Sequence, residues 1–84
     1  MKELSGKIET VADLGKIVRN RRKTDRLTQA DMAALCEVGT RFLSELENGK
    51  PTVQFGKAIK VLNSLGLEVH VVPRGWPPTP VDLP

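Results

Sequence analysis

Residues 27–50, LTQADMAALCEVGTRFLSELENGK, hold two short helical patterns separated by a tight turn, and the segments on either side read most economically as support for that unit. The first pattern opens at Thr28, whose hydroxyl can accept from a first-turn N–H, with Asp31 three residues on where a capping box usually has Glu or Gln. Met32, Ala33 and Leu35, with Ala30 or Cys36 on the flank, supply an apolar stripe at helical spacing that stops at Glu37-Val38-Gly39. After Gly39 a second stripe places Phe42, Leu43 and Leu46 on one side and Thr40, Arg41, Ser44, Glu45 and Asn48 largely on the other. Asn48-Gly49 closes this pattern, because either residue can enter the left-handed conformation, and Pro51 prevents continuation.

Two short helices joined by a 3–4-residue turn form a helix-turn-helix, and in DNA-binding examples the second helix enters the major groove. Helix pairs also occur as plain packing units, so spacing alone does not decide between the two. The exposed side of the second helix favours the first reading: Gly39, Thr40 and Ser44 leave it uncluttered beside Arg41, which suits close approach to base edges.

At Leu27-Thr28-Gln29-Ala30 and at Leu43-Ser44-x-Leu46-Glu47-x-Gly49-Lys50, with the spacing between them, the chain resembles the cross-type repressors related to the phage lambda and 434 repressors and Cro. The resemblance implies that Gln29 bonds to phosphate and supports the recognition helix. It also implies that Thr40, Arg41, Ser44 and Glu45 face the groove, that Asn48 and Lys50 lie near phosphates, and that Arg22 and Glu47 form an ion pair tying the preceding helix to the recognition helix. Without that pair Arg22 is a solvated charge or a phosphate contact. One departure is Glu37, which stands where the family usually has Gly in the turn.

With 84 residues the chain makes one small domain that gains from oligomerisation. A formal charge of +3 permits a polyanion partner without requiring one. The distribution says more: Arg19, Arg21, Arg22, Lys23 and Arg26 surround the single acid Asp25. Phosphate contacts from such residues position a protein, whereas base contacts discriminate sequence. Lys23 and Arg26, nearer the motif entrance, are favoured over Arg19 for that role. One Cys and one His provide neither a disulfide nor a metal cluster, so no cofactor or metal is expected, and Cys36 reads as a core thiol. There is no membrane-length apolar run or signal-peptide core, and a cytoplasmic location is expected. Nothing in the spacing argues for a phosphate-cradling loop or an activated nucleophile, so the chain is not read as an enzyme.

Around the motif, residues 1–9 read as a flexible N-terminal arm, with a short strand over residues 3–10 as the lesser alternative. Thr10 and Asp13 open a helix over residues 11–23 whose core side is Leu14, Ile17 and Val18. A fourth helix over residues 53–65, capped by Thr52, presents Phe55, Ala58, Ile59, Leu62 and Leu65 to the core. Gly66 ends it, and residues 67–72, LEVHVV, alternate like a strand. A lone strand leaves its edge unsatisfied. Pairing with the same strand of a second copy repairs this, with Leu67, Val69 and Val71 covering the dimer core and His70 partly exposed.

The expected fold is therefore mainly α: a small four-helix, repressor-like helix-turn-helix domain over residues 10–66, followed by a C-terminal β-strand that pairs across a homodimer. Four helices followed by a strand resemble the HipB branch of the family, whose members dimerise partly through this strand and act as antitoxins of HipA-type serine/threonine kinases. That resemblance implies a repressor of its own operon, binding double-stranded operator DNA with inverted-repeat symmetry and partnered by a HipA-like kinase. A stand-alone cross-type regulator is the competing reading, with a protein-interaction module that binds no DNA behind it. Residues 73–84, with five of the six Pro, read as a tail in which Trp76 folds back on the core or docks on a partner.

Overall fold

The computed structural model describes residues 6–74, so most of the expected tail, Trp76 included, and the first half of the expected arm lie outside the described residues. Residues 6–9 contain no strand. Four helices follow: α1 (Val11–Thr24), α2 (Gln29–Cys36), α3 (Thr40–Glu47) and α4 (Phe55–Ser64). α1 packs against α3, and α2 packs against both α3 and α4.

The two acidic capping boxes form as the residues require. Thr10 Oγ1 accepts from the Asp13 N–H at 3.2 Å, and Asp13 Oδ2 accepts in return from the N–H groups of Thr10 and Glu9. Thr28 and Asp31 repeat the arrangement at 3.0 and 3.1 Å. Asp is shorter than Glu, yet at N3 it still reaches the N-cap amide. The Thr28 N–H holds the Asp31 carboxyl below its ordinary range, with help from the Thr28 hydroxyl. Such a depressed group adds stability that is complete above the unfolded carboxylate value, about 3.9, and is lost as pH falls through the folded value. Asp31→Ala should therefore unfold at lower urea than the wild type at neutral pH, and the gap should close below about pH 4.

A shared device ends the helices. Amide-to-carbonyl bonds five residues back run from Leu27 to Arg22, Val38 to Ala33, Lys50 to Glu45 and Leu67 to Leu62. Each places the preceding residue in the left-handed region: Arg26 (φ 59°), Glu37 (57°), Gly49 (75°) and Gly66 (75°). Three of the residues that donate these bonds, Leu27, Val38 and Leu67, pack their side chains on the core. Two of the four caps therefore carry a side chain where glycine is the easy choice. For Glu37, left-handed geometry costs roughly 1–2 kcal/mol, and glycine returns part of that as unfolded-state entropy. Glu37→Gly should raise stability by about 0.5–1 kcal/mol in urea unfolding. The departure from the family's Gly is thus accommodated by strain, with the turn intact.

The core consists of Leu14 and Val18 from α1, Met32, Ala33 and Cys36 from α2, Leu43 and Leu46 from α3, and Ala58, Val61, Leu62 and Leu65 from the last helix and its cap. Cys36 is buried as expected, and desolvation raises its thiol pKa. Two expectations about the core are corrected. Leu35 is 66% exposed, because it lies roughly 100° round the helix from the centre of the stripe made by Met32, Ala33 and Cys36. Phe55 is also 66% exposed. The fourth helix starts at Phe55 behind a Gln54 N-cap that makes no side-chain bond, two residues later than expected and without Thr52 as its cap. Phe55 stands a turn ahead of the first buried residue, Ala58, and borders a shallow groove with Ile8, Pro51 and Val53. Val61, on the other flank of the stripe from Phe55, is fully buried although the stripe expected from sequence left it out.

Residues 67–72 form neither helix nor strand past Gly66, and they pair with no strand among the described residues of the single chain. Leu67 is partly spent inside its own chain, on the α4 cap. Val69, Val71 and Val72 are exposed, Val71 at 96%. His70 Nε2 lies 3.3 Å from Glu68 Oε2, both side chains being open to solvent.

Candidate nucleic-acid interface

The helix that carries the expected reading face is mounted by its C-terminal end. A Cβ on Gly15 of α1 would run into the Leu46 carbonyl oxygen and come within 2.9 Å of that of Glu47. One turn earlier, Ala12 lies against Gly49, where a Cβ would approach the Ala12 Cα to 2.7 Å. Small residues at helical spacing on α1 thus let the end of α3 seat backbone against backbone.

Beside this seat, Arg22 Nε donates to Glu47 Oε2 at 2.8 Å and Nη2 donates to Oε1 at 2.9 Å, a two-pronged pair. The remaining prong, Nη1, donates to the Leu27 carbonyl at 3.0 Å, and Gln29 Nε2 donates to Glu47 Oε1 at 3.2 Å. The Glu47 side chain is only 2% exposed. Its hydrogen bond to Arg22 raises the guanidinium pKa further. Arg22, Gln29 and Glu47 therefore join α1, the start of α2 and the end of α3 in one polar knot, and no buried side-chain N or O among the described residues lacks a partner. Gln29 points its amide into this knot, where the resemblance implied a phosphate contact and support of the recognition helix.

The opposite side of α3 is open. Gly39, Thr40 and Arg41 are exposed, and the Arg41 side chain is 91% exposed. Ser44 and Glu45 are half-buried, and Asn48 Nδ2 reaches Ser44 Oγ at 3.4 Å. Lys50 Nζ donates to Glu45 Oε2 at 2.9 Å, a bond that holds the Glu45 carboxyl below its ordinary range. Thr40, Arg41, Ser44, Glu45, Asn48 and Lys50 thus occupy one connected surface. Lys23 and Arg26 are exposed at the α1–α2 corner, while Arg21 is taken up by Asp25 at 3.1 Å.

Several of these contacts escaped sequence reasoning. For Gly15 the available signal is that an isolated glycine within a helical run costs about 1 kcal/mol relative to alanine and so marks close packing. The Glu45–Lys50 bond spans five residues across a cap and matches no standard helix pairing. Lys60 Nζ, 3.4 Å from the Glu37 carbonyl, also had no sequence signal. Among the described residues no group of His, Cys, Asp and Glu could hold a metal ion, and no helix is long and apolar enough to cross a membrane.

With two short helices at this spacing, the second exposed and anchored from behind, the architecture is that of a helix-turn-helix domain. The chain belongs to the helix-turn-helix family of cross-type, lambda/434 repressor-like domains, whose model matches residues 18–72. It is 42% identical over 72 residues to an HTH-type transcriptional regulator, y4mF, of Sinorhizobium fredii (strain NBRC 101917 / NGR234), a match covering 86% of this chain and 95% of that protein. Among solved structures, it is similar to HipB in a complex with an O4 20mer, with a TM-score of 0.73, 21% identity and coverage of 83% of this chain and 99% of that one. It is likewise similar to a chain of a HipA–HipB–O2–O3 complex, with a TM-score of 0.72, 21% identity and the same coverage. The chain is thus a helix-turn-helix regulator with a HipB-like fold, and not an enzyme.

Proposed function

We propose that this regulator is a sequence-specific repressor that reads duplex DNA through the outer face of α3. The observation that carries this reading is the asymmetry of that helix. Its C-terminal end is fixed by Gly15, Arg22 and Gln29, while Thr40 and Arg41 stand clear on the other side beside the half-buried Ser44. Thr40 and Ser44 bond to base edges or touch thymine methyls, Arg41 reads guanine, and Glu45 contributes a carboxylate to this face. Asn48, Lys50, Lys23 and Arg26 meet phosphates, whose contacts fix register and make affinity fall with salt.

The exposed valines of residues 67–72 support a homodimer in which the segment pairs with its copy, burying Val69 and Val71 and satisfying the facing edge of each strand. Two reading helices then meet an inverted repeat with half-sites about 34–36 Å apart, or a multiple of that. The likeness to a HipA–HipB–DNA assembly supports a further role as antitoxin and co-repressor of a HipA-like kinase. A stand-alone regulator without a kinase partner is the competing reading.

A salt-controlled shift assay on the promoter upstream of the gene tests the DNA-binding reading, and sedimentation tests the dimer. Steep salt dependence and a two-fold footprint are expected, whereas salt-insensitive or absent binding leaves the interaction-module reading standing. In the footprint, Arg41→Ala should lose roughly tenfold in discrimination at one base pair per half-site. Unchanged preference would remove Arg41 from base readout. Recovery of no kinase with the natively expressed protein would leave a repressor acting alone.

A further inference from the structure

Arg41 and Lys50 lie on the reading surface, and in the free protein both face the same carboxylate oxygen. Lys50 Nζ donates to Glu45 Oε2 at 2.9 Å, and Arg41 Nε lies 3.7 Å from that oxygen. The Lys50 bond is short and charge-assisted, so it fixes where the carboxylate sits. The Arg41 contact is a looser ion pair on a side chain otherwise open to water. The atom involved matters. A guanidinium can donate from the edge that carries Nε and, separately, from its two terminal amines, and a fork of donors is what guanine O6 and N7 accept. A carboxylate drawing on Nε leaves the terminal amines to a second acceptor.

We propose that Glu45 is a positioning residue for sequence readout: braced by Lys50, it holds Arg41 through Nε so that the terminal amines are presented to a guanine. This rests on the DNA-binding reading above. The arrangement acts on wrong sequences too. A duplex without guanine at that place gains an Arg41–phosphate contact only by pulling Arg41 off Glu45, whose own charge repels the phosphate. At the right sequence Arg41 engages both partners at once, and exclusion of water from the face strengthens both attractions. Glu45 therefore widens the gap between specific and non-specific binding from both sides, and it does so without touching a base.

The test starts from duplexes that the wild-type protein selects out of a randomised library. Each guanine in the selected site is replaced in turn by 7-deazaguanine, which removes only the N7 acceptor, and Arg41→Ala identifies the guanine that Arg41 reads. At that guanine the replacement should weaken wild-type binding about tenfold and Glu45→Gln binding less than about threefold. Glu45→Gln should also bind an unrelated duplex about three- to tenfold more tightly than the wild type. In the 7-deazaguanine penalty alone, Lys50→Met, which removes the brace together with a phosphate contact, should fall between the wild type and Glu45→Gln. Circular dichroism and urea unfolding establish that each variant keeps its fold. A Glu45→Gln protein that keeps the full 7-deazaguanine penalty overturns the proposal. So does one whose only change is a new preference at a cytosine, since Glu45 would then read that base itself. A wild-type protein that selects no sequence overturns the DNA-binding reading together with this one.

Discussion

Arg22→Ala is expected to cost about 3–5 kcal/mol in urea unfolding, because it leaves the buried Glu47 carboxylate without the two charged donors that hold it. Gln29 supplies one neutral donor and cannot offset that loss. The Leu27 carbonyl loses its side-chain partner as well. Arg22→Lys keeps the charge but not the fork, so a single ammonium has to serve Glu47 and Leu27 together, and an intermediate loss is expected. Joint replacement by Arg22→Met and Glu47→Leu should recover most of the stability, since removing both charges also removes the desolvation that each imposes. A double variant as unstable as Arg22→Ala would show that the knot contributes through its hydrogen-bond geometry rather than by cancelling a buried charge.

Gly15→Ala is expected to destabilise by about 3 kcal/mol, at the upper end of the usual cost of overpacking. On an exposed helix face the same change would stabilise by about 1 kcal/mol, so the sign alone is diagnostic. The new methyl meets the carbonyl oxygens of Leu46 and Glu47, which belong to backbone and cannot rotate away. The measurement is the urea midpoint at unchanged slope. A stabilised Gly15→Ala protein would mean that α1 and α3 do not approach as closely as described.

Much of this architecture was legible in the residues. Thr10 with Asp13 and Thr28 with Asp31 mark two helix starts to the residue, because a cap depends on local chemistry within one turn. The stop at Glu37 was legible, but the left-handed conformation of Arg26 and Glu37 was not, since it goes with Leu27 and Val38 packing on the core rather than with their own preference. Phe55 misled because periodicity reports which side of a helix a residue occupies and not whether the core extends as far as that turn. On the outer side of α3, the placement of Thr40, Arg41 and Ser44 followed from the stripe of Leu43 and Leu46 facing inward. The Lys50–Glu45–Arg41 arrangement did not, since it depends on how the chain turns at Gly49. For residues 67–72 alternation was plain, but pairing is a property of two chains and not of one.

The seat of α3 on α1 lies at Ala12, Gly15 and Gly49, on backbone and at the end of the helix away from Thr40 and Arg41. Exchanging the outward side chains therefore leaves the mounting untouched. On the DNA-binding reading, target preference in this lineage can drift, or be re-engineered, one exposed residue at a time at little stability cost, while the docking angle is inherited unchanged.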